Sequence, residues 1–242
     1  MTSLTVTTAA DVVDPHDGML SLRDAVQQAN ATASADTILF AKALEGQTLV
    51  LTQGQLTVTH DLAIDGGHAH GGPGVTLSGG DASRVLAITG TGTEVALADL
   101  GVVHGHVAGR GGGIFLAGGN GLELRHCEIA DNHVDPVSLV PGEGGGIFAG
   151  LGSRLHLVGT TVHDNIAAIS HGGGVFAAGH CELTVEGSRF VGNEAQLEAD
   201  FRGGTDGGYG GAVFVGGGSH LMLVDSQFRA NAADVEGGGV AA

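Results

Sequence analysis

GGGIFAGLGSRLHLVGTTVHDN, residues Gly144–Asn165, is one of four near-copies of the same 22-residue pattern in this chain. An Ile or Val follows each glycine cluster (Ile114, Ile147, Val175, Val213), and an Asn closes each copy 18 residues later (Asn132, Asn165, Asn193, Asn231). Other columns keep the same register. Ten residues before each Asn stand Leu122, Leu155, Leu183 and Leu221, and eight before it Leu124, Leu157, Val185 and Leu223. Five before are the small Cys127, Thr160, Ser188 and Ser226, and three before are Ile129, Val162, Phe190 and Phe228. An earlier copy without the glycines keeps Val95, Leu97, Leu100 and Val102, with Gly105 in the Asn position.

Within each copy the apolar residues alternate with period two, which is strand spacing. Three short strands per unit, joined by tight turns, describe one coil of a β-solenoid. Stacked coils bury a continuous core and pair each strand with the one above. The shortest coil runs 27 residues, from Gly105 to Asn132, so about seven coils fit after the N-terminal region. Gly105, Asn132, Asn165, Asn193 and Asn231 read as structural turns, because Gly and Asn share a tolerance for the left-handed conformation.

All length variation falls between the Asn and the next Ile or Val, where the separations are 9, 15, 10, 20 and 9 residues. The two insertions, Val134–Glu143 and Glu194–Tyr209, therefore share one corner. Insertions confined to one face mark either a binding face or an exposed corner that tolerates them.

Composition agrees with the repeat. Glycine supplies 46 of 242 residues without a three-residue register, which excludes collagen. The mean hydropathy of +0.23 is too high for a disordered Gly-rich linker. Nine Lys and Arg against 26 Asp and Glu leave a net charge of −17, which repels phosphate backbones and argues against nucleic acid as partner. No run of 18 apolar residues exists, so no membrane span is expected. The start, MTSLTVTTAADVV, lacks the basic and apolar regions of a Sec signal. The end, GGGVAA, opens a further copy of the repeat, so truncation there is expected.

Ahead of the repeats, Leu20–Asn30 reads as a short helix, about residues 21–30, with Ser21 as N-cap and Asp24 completing a capping box. Leu22, Ala25, Val26 and Ala29 form its apolar face, suited to cover the open end of a solenoid. The domain reading is an N-terminal cap over 1–36 and a parallel β-helix over 37–242.

The segment DGMLSLRDAVQQANATASADTILF resembles the CSLREA-type motif at the start of many bacterial surface and secreted β-helix proteins, with Leu20 in place of its Cys and Asp24 in place of its Glu. The repeats resemble the GGA[ILV]…FxxN repeats of the chlamydial polymorphic outer-membrane proteins. Gly210-Gly211-Ala212-Val213, Phe190–Asn193 and Phe228–Asn231 match literally. The resemblance implies a right-handed parallel β-helix in an extracellular or surface-displayed stalk, often adhesive, in contact with a glycan or protein surface. The start of the chain, without a Sec signal, leaves a cytosolic protein, export by a route with a C-terminal signal, or a fragment that lacks its signal; with the resemblance, an extracellular or cell-surface location is expected.

Four residues before each Ile or Val stand Arg110, Glu143, His171, Tyr209 and Glu236, a column beside both insertions and the candidate binding column. The competing reading is a solvated ladder whose rungs pair, such as Arg110 with Glu143. Glu143 and Glu236 lie three coils apart, roughly 14 Å at ~4.8 Å per rung, too far for a glycosidase pair. Asp131 and Asp164 share another column, where a calcium ion would relieve their repulsion, but Gly192 and Ala230 continue it, so no cofactor is expected. The 13 His fall in different columns without helical spacing, which argues against zinc. Cys127 and Cys181 sit two coils apart, too far for a disulfide.

Phe115, Phe148, Phe176 and Phe214 directly follow the Ile/Val column, and neighbours along a strand face opposite ways. One apolar stripe must then face outward, with the insertions expected to cover it in part. The chain has no Trp and one Tyr, which weakens a carbohydrate-binding module. The expected function is a non-catalytic extracellular stalk or adhesin. The alternative is a polysaccharide lyase or epimerase acting on acidic glycans at the insertion corner.

Overall fold

The computed structural model describes residues 2–13, 18–69, 72–137, 142–197 and 208–242. The strands stack into parallel sheets that run the length of the molecule. The first face has eight strands, from Ser3–Val6 and Asp36–Phe40 through Glu94–Ala98 and Arg154–Val158 to His220–Val224. The second has seven, from Thr48–Val50 to Gln227–Arg229, and the third seven, from Leu56–Val58 to Val240–Ala241. Each circuit through the three faces is one coil, and seven circuits follow the first strand. A short antiparallel pair, His68–Ala69 with Gly72–Pro73, stands outside these sheets.

Register follows the sequence columns. Leu122, Leu155, Leu183 and Leu221 are direct partners along the first face, and Ile114, Ile147, Val175 and Val213 along the third. The inward members of these columns fill the core: Leu124, Ile129, Leu157, Val162 and Phe190 are fully buried. Each such side chain contributes about 1.5–3 kcal/mol by leaving water. Phe190 and Phe228 stack in the core with ring centroids 4.9 Å apart.

A fourth, five-stranded sheet occupies the corner between the second and third faces, where three strands per coil were expected. It comprises His106–Ala108, His133–Asp135, Ile166–Ala167, Glu194–Ala195 and Ala232–Ala233. Strands of two or three residues are too short to display alternation, so the sequence pattern hid them behind the Asn turn. Their inward side chains, Val134, Ala167 and Ala195, are fully buried.

The turn chemistry also differs from expectation. The left-handed residue is the one before each Asn: Asp131 (φ 54°), Asp164 (52°), Gly192 (64°) and Ala230 (51°), with His104 (51°) before Gly105. The Asn side chains turn inward instead and form a buried ladder along the stack. Nδ2 of Asn132, Asn165 and Asn193 each donates to Oδ1 of the next Asn at 2.9 Å. The same nitrogens donate to the carbonyls of Val102, Ile129 and Val162 in the coil before. Gly105 ends the ladder because its N–H donates to Asn132 Oδ1 at 2.8 Å, and a Cβ there would lie 2.1 Å from the Gly112 carbonyl oxygen.

A second ladder runs through the small-residue column. The Cys127 N–H donates to Thr160 Oγ1, the Thr160 N–H to Ser188 Oγ, and the Ser188 N–H to Ser226 Oγ, at 3.1–3.3 Å. These residues are there for their acceptors as well as their size.

The helix spans Leu22–Asn30 with a complete capping box at Ser21 and Asp24. Its buried Leu22, Ala25, Val26 and Ala29 join the core cluster that holds Leu56 and Val58 of the first coil. The preceding strand, Ser3–Val6, pairs with Asp36–Phe40, so the N-terminal segment extends the first face as well as covering the end.

Candidate functional site

The third face resolves which apolar stripe turns outward. Ile114, Ile147, Val175 and Val213 are fully buried in the core. Phe115, Phe148, Phe176 and Phe214 point away from it and stack face to face, with centroids 5.3, 5.5 and 5.1 Å apart and planes within 12°. Coil stacking imposes this spacing, and offset ring pairs of this kind contribute about 0.5–1.5 kcal/mol each beyond their burial. Phe148 and Phe176 are nonetheless buried, at 4% and 7% exposure.

Part of their cover comes from the candidate binding column. The Arg110 guanidinium lies 4.9 Å from the Phe148 ring centre, and Arg84, which the column omitted, lies 5.1 Å from that of Phe115. The His171 ring stacks on Phe214 at 4.7 Å and meets Tyr209 at 5.1 Å. The middle of each insertion, residues 138–141 and 198–207, lies outside the described residues, so the expected loop cover falls there.

The column is also bridged at the backbone, in two separate runs. Arg110 bridges to Glu143, His171 to Tyr209, and Tyr209 to Glu236. Arg110 Nε sits 2.5 Å from Glu143 Oε2. Burial pushes the Glu143 carboxyl above the usual carboxylate range, with Arg110 opposing it. Arg84 ties the coils together by donating to the carbonyls of Gly111 and Arg110 at 2.8 and 2.7 Å. These side chains form a ladder over an aromatic stack; they do not converge on one point.

Asp131 and Asp164 take the left-handed turn position one rung apart, and Asp164 accepts from His163 Nδ1 at 2.8 Å. Neither belongs to the one grouping of potential metal ligands among the described residues, His106, His133 and Asp135. That grouping was missed because 27 residues separate the two histidines. The signal was present, since each directly follows its column residue, Gly105 or Asn132.

The first face carries a groove of about 540 Å³ on its outer side. Its floor is made of small residues, Ala63, Ala96 and Gly121, and its walls of Asp61, Glu94 and Glu123 with Arg154 and His156. Arg154 is paired with Glu94 across Gly121. Cys127 and Cys181 are buried free thiols, and burial pushes Cys127 up to about 12, far from a reactive thiolate. No described helix is long and apolar enough to cross a membrane.

Neither the comparison with curated proteins nor that with solved structures found a match. The family model for the right-handed β-helix region matches residues 65–233, the span that holds the stacked columns and all five corner strands. With seven parallel coils in register and a family match over most of its length, this chain belongs to the right-handed β-helix family.

Proposed function

We propose that this chain is a non-catalytic β-helix segment displayed outside the cell, a stalk or adhesin that presents its side faces to a glycan or protein surface. The observation that carries the reading is the use already made of the candidate column. Arg110 pairs with Glu143 and covers Phe148, while His171 stacks on Phe214, so these polar groups serve the coil stack. A catalytic site needs such groups aimed at one reacting atom.

The groove on the first face supports contact with a neutral glycan over an acidic one. Asp36, Asp61, Glu94, Glu123 and Glu182 outnumber Arg154 and His156 there, and Arg154 is neutralised by Glu94. An anionic chain would meet net repulsion along this surface.

The test is incubation with neutral and uronic-acid polysaccharides, with and without calcium, reading unsaturated products, reducing ends and retention on each glycan. Retention without turnover is expected. Turnover that Glu143→Gln abolishes would overturn the reading and locate an active site at the column.

A further inference from the structure

We propose that His106, His133 and Asp135 form a binding site for a divalent metal of the zinc class, which clips two adjacent coils together on the corner sheet. Strand pairing sets His106 directly against His133 and Ala108 against Asp135. The two imidazoles lie with centroids 4.9 Å apart and planes at 34°. Both turn the same nitrogen toward one carboxylate, each to its own oxygen. His106 Nε2 is 2.7 Å from Asp135 Oδ2, and His133 Nε2 is 3.2 Å from Asp135 Oδ1. His133 Nε2 is buried, yet its approach to Asp135 lacks hydrogen-bond geometry.

One ligand atom from each residue lies within 4.8 Å of the other two. A tetrahedral zinc ion, with bonds of about 2.0–2.2 Å, needs its donors about 3.3–3.5 Å apart. The two histidine nitrogens, 2.7 and 3.2 Å from the Asp135 oxygens, therefore have to draw back from the carboxylate by a fraction of an ångström to admit an ion. Two imidazole nitrogens and one carboxylate oxygen suit zinc and its late first-row neighbours and do not suit calcium, which takes six to eight oxygens. Three protein ligands leave a coordination position for water. Asp135 also lines a groove of about 440 Å³ with Glu194, Gln196 and Asp234 of the following coils, and the two further carboxylates make this side of the site acidic. Ligation through Nε2 requires each imidazole to be neutral with its remaining proton on Nδ1.

Titration calorimetry of zinc into the full chain, after treatment with a chelator, tests the site. Saturable binding of one ion per chain is expected, weakened about tenfold or more by His133→Ala and by the near-isosteric Asp135→Asn. His156→Ala and His163→Ala, at histidines elsewhere on the surface, should leave it unchanged. Cobalt in place of zinc should give visible absorption that the Asp135→Asn chain lacks. Absence of saturable binding, or binding that His133→Ala and Asp135→Asn leave intact, would overturn the proposal.

Discussion

An amide side chain placed in an apolar interior costs free energy unless each of its polar atoms finds a partner. Asn165 meets that requirement in full. Its Oδ1 accepts from the Asn132 N–H and from Asn132 Nδ2, and its Nδ2 donates to the Ile129 carbonyl and to Asn193 Oδ1. Removing it strands partners in both neighbouring coils, so Asn165→Ala should cost about 3 kcal/mol or more in denaturant unfolding, well above a surface substitution. The glycine clusters obey a second residue-scale rule. Gly144 needs its positive φ of 70°, whereas the next two positions face the carbonyls of the following coil. A Cβ on Gly173 would lie 2.4 Å from the Glu194 oxygen and 2.5 Å from the Gly211 oxygen. The equivalent of Gly174 in the next coil is Ala212, which the stack accommodates at 0% exposure. Gly173→Ala should therefore destabilise more than Gly174→Ala, by about 1–3 kcal/mol, when the two unfolding midpoints are compared. The columns themselves were legible in the sequence because apolar alternation and repeat length are one-dimensional signals. The role of each column was not: Asn was assigned to the left-handed turn when its neighbour takes that strain, and Cys127, Thr160 and Ser188 were seen only as small.

At the scale of elements, each face carries its own ladder, and the outer ladders mix histidines with acids. His163 on the second face bridges Glu128 of the coil before it, at 3.1 Å, and Asp164 beside it, at 2.8 Å. Burial alone would lower its pKa, but the hydrogen bonds to Asp164 and Glu128 outweigh that and hold it above the ordinary imidazole value. A group whose folded pKa is raised stabilises the fold fully below its unfolded pKa and loses that contribution as pH rises through the folded value. Stability should thus fall as pH climbs from about 6.5, and His163→Gln should remove this part of the slope in urea titrations. The pair is partly exposed, so the effect should stay below about 1 kcal/mol. The corner sheet was the element that sequence pattern could not supply. Ile166–Ala167 and Glu194–Ala195 hold two residues each, and a two-residue strand has no period to detect. The same blindness hid the pairing of His106 with His133, which becomes visible only once the 27-residue coil length is applied to residues just past the turn.

For the whole molecule, stability is approximately the sum of coils and of the interfaces between neighbours, because strand pairing joins each coil only to the one above and the one below. The outward phenylalanine stack, the Asn ladder and the Arg110–Glu143 pair all act across these interfaces. The proposed binding surfaces lie on the sides of the stack: the acid-rimmed groove on the first face and the histidine-bearing corner sheet. If the columns exist to join interchangeable coils, the chain should survive loss of one complete coil. Deleting residues 166–193 removes 28 residues, the Asn165-to-Asn193 repeat. It would set Leu155 over Leu221 and Phe148 over Phe214 with every column kept. Deleting only 166–179 would shift the register of every column beyond the cut. The measurement is the far-UV circular dichroism and cooperative unfolding of the two deleted chains. The stacked-coil account predicts a folded, cooperatively unfolding β-protein from the first and an unfolded chain from the second. Collapse of the complete-coil deletion, or equal behaviour of the two, would contradict it.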